Sequence, residues 1–170
     1  MTDTVICDAC GKAHPREEIE LVLVLPQPIF ELGDEERANR CDISADMCAI
    51  DRTRFFIRGL LPIPVRGRGI PYRIGIWAEV DEPTYARIYE LWEDSSQVDE
   101  PLLPATLAND VPLVPSTIGM EIDIRLTGPT TQPDFFLRDT PHPLAVEQRR
   151  GVSAHRALEY GTSTVTPSAG

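Results

Sequence analysis

Apolar and polar residues alternate in two runs, RFFIRGLLPIPV over residues 54–65 and YRIGIWAEV over 72–80, joined by the turn-forming RGRGIP. A period of two sends successive side chains to opposite faces of a strand, so the pair predicts a β-hairpin. Phe55, Ile57, Leu61, Ile63 and Val65 share one parity, and Tyr72, Ile74 and Ile76 share one on the second run, which gives each strand a face to bury. Pro62 and Pro64 remove amide donors and predict an edge or a bulge there. MEIDIRL, 120–126, alternates with Met120, Ile122, Ile124 and Leu126 on one side, and DFFLRD is expected to return antiparallel to it after the turn TGPTTQP. A further strand is predicted over IELVLVL, 19–25.

Helical spacing appears in three places. In DEPTYARIYELWED, Pro83 stands in a first helical turn and Tyr85, Ile88, Tyr89 and Trp92 recur at i, i+3, i+4 and i+7, a stripe expected to lie on a sheet. Asp34 is expected to cap a short helix over Glu35 to Arg40. Near the end, Pro143 opens and Gly151 closes one helix before Ser153 caps another. The proline-punctuated stretch 95–119 is read as an ordered connection with little regular structure, and the uncharged tail 161–170 as disordered. The pattern therefore predicts a single α+β domain over residues 1–160, with a mainly antiparallel sheet and helices packed on it. No repeat or linker divides it.

The totals narrow the possible roles. With 170 residues, 42% hydrophobic and 25% charged, the chain has the size and composition of one folded domain. Sixteen basic against 27 acidic residues give a net charge of −11, which repels phosphate backbones and anionic lipid, so neither nucleic acid nor a membrane is an expected partner. The arginines at 52, 54, 58, 66, 68 and 73 are a local exception, read as a solvated sheet face unless the fold gathers them around an acidic ligand. No run approaches the length of a membrane span, and MTDTVICDAC lacks the basic and apolar regions of a signal peptide, which points to the cytoplasm. In a reducing compartment the four cysteines are read as thiols or metal ligands before disulfides.

All four cysteines fall in the first 50 residues, and the opening pair sits in CDACGKAHP. A Cys-x-x-Cys followed by glycine is the usual form of a zinc knuckle, because its tight turn points two thiolates at one cation. Two ligand sets satisfy a tetrahedral ion: Cys7, Cys10, Cys41 and Cys48, or Cys7, Cys10 and His14 with one of the later cysteines. Four filled positions leave no place for a reactive water, so the expected zinc is structural. The alternative is four reduced thiols, some buried as small apolar side chains. A redox role fits less well, since no strand precedes the pair to set it at a helix N-terminus.

The other cluster able to carry chemistry is His142, Glu147 and Gln148, with His155 beyond. A histidine and a carboxylate can act as general base and orienting group, or as metal ligands, and a hydrolase or transferase built on His142 and Glu147 is the enzymatic alternative. Their spacing of five differs from the i, i+4 geometry that brings two ligands onto one helix face, which favours His142 as a helix cap. No Gly-x-Ser-x-Gly elbow, phosphate-cradling glycine loop or His-Glu-x-x-His occurs.

Five landmarks occur together: CDACGKAHP, then EERANRCDISADMCAID, FFIRGLLPIPV, YRIGIWAEV leading into a helix ending LW, and HPLAVEQRRGV. In this order they resemble the uncharacterised bacterial proteins grouped as domain of unknown function 2199, over nearly the whole chain. The chain departs from that pattern at Ile74, where tryptophan is usual, and at DEPT, where a serine-rich cap is usual. The resemblance implies Cys7, Cys10, His14 and Cys48 as the ligand set, with Cys41 as a substitute, and implies no reaction. The sequence thus leads to a small cytoplasmic binding or accessory module, stabilised by one structural zinc and presenting an acidic surface to a protein partner.

Overall fold

The computed structural model describes residues 4–6, 11, 13–15 and 20–163. Among the described residues nine strands and five α-helices follow one another as β1 (Thr4–Ile6), β2 (Ala13–Pro15), α1 (Gln27–Phe30), α2 (Asp34–Arg40), β3 (Cys41–Ile43), β4 (Met47–Ile50), β5 (Arg54–Ile63), β6 (Tyr72–Val80), α3 (Glu82–Leu91), β7 (Leu103–Leu107), β8 (Glu121–Arg125), β9 (Asp134–Leu137), α4 (Pro143–Arg150) and α5 (Ala154–Thr162). β1 and β2 form a separate antiparallel pair, and β3 to β9 form one sheet in sequence order.

The predicted hairpins are present. β5 and β6 pair from Phe55↔Val80 to Ile63↔Tyr72, and β8 and β9 from Ile122↔Leu137 to Arg125↔Asp134. Phe55, Ile57, Leu61, Ile63, Tyr72, Ile74, Ile76, Ile122 and Ile124 all enter the main core, as their parity requires. The first half of β5 is buried on its other face as well, where Phe56 and Trp77 meet Ile29, Cys48, Ile50 and Ala108 in a second cluster.

The sheet is not open: it closes into a small barrel. β9 crosses back to β5 through a parallel contact, Leu60↔Asp134, with the Leu60 amide donating to the Pro133 carbonyl at 2.9 Å. Gly59 permits the closure, because a Cβ there would collide with the Phe135 ring and the Pro133 carbonyl. β5 therefore serves β4 with its first half and β9 with its second. The Leu60 bond shows that even-numbered amides of β5 face away from β6. Pro62 and Pro64 stand where that side has run out of strand partners, and the chain near α4 covers them: Gln148 donates to the Pro62 carbonyl at 3.1 Å and Val152 to the Pro64 carbonyl at 2.8 Å.

Several sequence expectations need correction. β7 lies within the stretch read as irregular, and it pairs with β8 over Leu103–Thr106. Of the run 19–25 the described residues, 20–25, make one isolated bridge, Val22↔Gly75, although Leu21 and Leu23 point inward as their alternation demands. The cap of α2 is Gly33 rather than Asp34, whose carboxylate instead lies 3.3 Å from Arg37. On α3 the buried residues are Ile88 and Leu91, with Tyr85 and Trp92 packed at the margin, while Tyr89 is 71% exposed. α5 continues to Thr162, into the segment assigned to the tail. The expected zinc knuckle is not shown, since Cys7 and Cys10 lie outside the described residues. Among the described residues no helix is long and apolar enough to cross a membrane.

Candidate functional site

The proposed metal ligands are described only in part. His14 pairs through its backbone with Val5 in the β1–β2 ladder. Cys41 and Cys48 face each other diagonally across β3 and β4, because Cys41 is opposite Ile50 and Cys48 opposite Ile43, which places both thiols on one face. Cys48 is wholly buried and its sulfur lies 3.8 Å from the Ser44 carbonyl; burial pushes its pKa up to about 11, so the thiol is neutral at neutral pH. Cys41 is half-buried, and burial raises its thiol as well. Among the described residues no three His, Cys, Asp or Glu side chains converge as a metal site.

His142 and Glu147 have separate engagements. His142 caps α4, its Nδ1 accepting from the Leu144 amide at 3.1 Å while Nε2 lies 3.1 Å from the Pro115 carbonyl. Since a carbonyl can only accept, the ring is held as the Nε2–H tautomer. Glu147 accepts from Arg156 Nε at 3.1 Å and from the Tyr160 hydroxyl at 3.0 Å. Burial, then the Glu147 charge, raises the Tyr160 phenol, so it stays a donor. Arg156 also reaches the Leu113 carbonyl at 3.3 Å. His142 and Arg156 thus fasten the 111–117 segment to the C-terminal helices. His155 lies 4.0 Å from Glu159 within α5, apart from both.

A cleft of about 430 Å³ opens where α3 passes the β3–β4 turn, lined by Ser44, Asp46, Met47, Tyr89, Glu90, Trp92 and Glu93. Local sequence fixes both walls. Ser44 closes the turn, its amide donating to the Met47 carbonyl at 3.0 Å and its hydroxyl accepting from the Met47 amide at 3.1 Å. Asp46 is tied down by Arg58, whose amide donates to its carbonyl at 2.9 Å, and by Gln132, which donates to its carboxylate at 3.2 Å. On the other wall Asp81 caps α3, accepting from the Thr84 amide at 2.8 Å. Ile88 and Leu91 then orient the helix by entering the core, which turns Tyr89, Glu90 and Glu93 outward. Glu90 has a partner in Arg87 at 3.5 Å, an exposed pair of small energetic weight. Burial raises the Tyr85 phenol, and the nearby Asp42 carboxylate adds to the shift.

Two aromatic rings, a thioether and three carboxylates have the chemistry to receive an organic cation: the ring faces and carboxylates attract the same charge. Sequence reasoning missed this cleft because it read Tyr89 as a core residue. The signal was Leu91, a better core residue than Tyr89, which shifts the buried stripe round the helix.

No curated protein matches the chain, and no solved structure does. A family model described as an uncharacterized protein conserved in bacteria, DUF2199, matches residues 6–152 and so spans both hairpins, α3, the cleft and α4. The chain therefore belongs to this family of uncharacterised bacterial proteins, domain of unknown function 2199.

Proposed function

We propose that the protein is a cytoplasmic binding module which presents the cleft between α3 and the β3–β4 turn to a basic segment of a protein partner. The exposed ring of Tyr89 beside Trp92, set among Asp46, Glu90 and Glu93, carries this reading. A tyrosine 71% exposed on a helix whose core contacts are made by Ile88 and Leu91 contributes little to folding. In that setting its face suits an arginine side chain, which stacks on aromatic rings and pairs with carboxylates at once. A net charge of −11 speeds the encounter with a basic partner and repels acidic ones.

Tryptophan emission tests the proposal. Trp77 is 1% exposed, so a ligand-dependent change reports on Trp92 in the cleft. A peptide of alternating arginine and glycine is expected to give a saturable change that weakens with added salt and weakens about tenfold in Tyr89→Ala. Equal binding by the same peptide with citrulline in place of arginine would end the reading.

A structural zinc ion belongs to the same proposal. The donors are soft thiols with one imidazole, which suit zinc, and Cys7, Cys10, His14 and Cys48 would hold it, with Cys41 on the same face of β3–β4 as a substitute. Zinc bound there would keep these thiolates deprotonated against the upward shift that burial gives Cys48, and would tie the N-terminal segment to the sheet.

A further inference from the structure

A second cleft, of about 470 Å³, lies further along β5, between the β5–β6 turn, β9 and the end of α4. Its wall is mainly apolar, formed by Pro62, Pro64, Pro71, Phe136 and Leu137, and Arg68 and Arg149 also line it. The cleft is built by hydrogen bonds on both sides. Arg66 donates from its amide to the Val152 carbonyl at 2.9 Å and Val152 returns a bond to Pro64 at 2.8 Å, which sets the arginine-bearing turn alongside the end of α4. Gln148 accepts from the Leu137 amide at 2.7 Å and donates to Pro62 and Phe135, which fixes β9 against β5. Such a site is preformed, and its volume falls in the range of small-molecule sites.

The charge of this end opposes that of the rest of the molecule. From Ile63 through the turn to Ala78 the chain holds three arginines, Arg66, Arg68 and Arg73, and no acidic residue, and Arg149 and Arg150 end α4 beside the same turn. Arg149 already holds a carboxylate, that of Asp139, at 3.0 Å, and Asp139 is 88% exposed. An exposed pair of that kind contributes little and exchanges readily. The guanidinium geometry at the cleft thus accepts a carboxylate, while the prolines and Phe136 offer nothing to a polar body.

We infer that this cleft binds an apolar monocarboxylate, its hydrocarbon body against Pro62, Pro71 and Phe136 and its carboxylate between Arg68 and Arg149. The site is separate from the acidic cleft at Tyr89 and does not depend on that cleft's role. Octanoate, octanol, octylamine and a glutamate-rich peptide are titrated into the full-length protein, with amide chemical shifts read by NMR.

Octanoate is expected to bind saturably with shifts centred on 62–71, 136–137 and 148–149, and octanol about tenfold more weakly. Arg68→Gln and Arg149→Gln are each expected to weaken octanoate about fivefold and leave octanol unchanged. Phe136→Ser should weaken both, and Arg149→Lys should retain most of the octanoate affinity. Equal binding of octanoate and octanol, shifts away from the cleft, unchanged affinity in both arginine variants, or preference for the glutamate-rich peptide or for octylamine would each overturn the inference. A spectrum with the dispersion of the parent protein shows that a variant is folded before its affinity is compared.

Discussion

Gln148→Ala removes the clamp that closes the barrel where the side of β5 facing away from β6 has run out of strand partners. The Gln148 carbonyl oxygen accepts from the Leu137 amide at 2.7 Å, and its NH₂ donates to Phe135 at 2.9 Å and to Pro62 at 3.1 Å. The backbone amide can only donate and the two carbonyls can only accept, so the orientation of the side-chain amide is determined. Each hydrogen bond of this kind contributes about 0.5–1.5 kcal/mol net, and loss of a buried partner leans toward the upper end. Gln148 is half-buried, so water replaces part of the loss and the expected cost for the three bonds is about 2–3 kcal/mol. In thermal unfolding that corresponds to a fall in Tm of roughly 5–10 °C for a domain of this size.

Gln148→Glu separates hydrogen bonding from packing. It keeps the acceptor for Leu137 but faces the carbonyls of Phe135 and Pro62 with a carboxylate, which disfavours the charged form. The folded pKa of that carboxyl is therefore raised above its unfolded value of about 4.3. The native state then binds more protons than the unfolded state between the two values, so this variant gains stability relative to Gln148→Ala as the pH falls toward about 4. Denaturant unfolding of both variants across that window is the assay. A loss below about 0.5 kcal/mol for Gln148→Ala, within the range of ordinary surface substitutions, would refute the clamp. So would a Gln148→Glu variant whose deficit does not narrow on acidification.

Four other outcomes follow from the same structure. Gly59→Ala should cost about 1–3 kcal/mol in denaturant unfolding, because its Cβ drives Phe135 and β9 off β5; an unchanged midpoint would deny the barrel closure. Asp110 is a lowered carboxylate: burial opposes its charge, but donors from Ser116, Thr117, Ile118 and Gln27 outweigh that penalty. Its stabilisation is present above the unfolded pKa of about 3.9 and is lost as pH falls through the lower folded value, so the stability gap between Asp110→Asn and the parent should close on acidification. In thiol alkylation at neutral pH, peptide mapping should find Cys41 modified well before Cys48, and equal rates would contradict the burial of Cys48. Native mass spectrometry should find one zinc per chain, lost together with thermal stability in Cys10→Ser; fresh reduced protein without metal would leave the cysteines as packing and surface thiols.

What the sequence made legible was set by how local each determinant is. Both hairpins were readable because alternation over five to ten residues specifies a strand and a face. The caps at His142 and Ser153 were readable because each bonds within three residues: His142 accepts from Leu144 and Ser153 from Arg156. β7 was not, since LPATL is short and carries a proline, and it is held by its partner β8 rather than by its own pattern. Barrel closure depends on Gly59 meeting Phe135, residues far apart in sequence, and the only local trace was a glycine inside a strand. The acidic cleft had the same origin. Its two walls are local elements of ordinary composition, and only the tertiary packing of Ile88 and Leu91 decides that Tyr89 lines the same cleft as Asp46.

The measurement closest to the central claim is an NMR titration of the full-length protein with the arginine-and-glycine peptide, mapping shifts onto the two clefts. Saturable shifts are expected, centred on Ser44, Asp46, Met47, Tyr89 and Trp92, abolished by Tyr89→Ala with Glu93→Gln and absent with the citrulline peptide. Diffuse, non-saturating shifts spread over the acidic surface, or an equal response to citrulline, would contradict it.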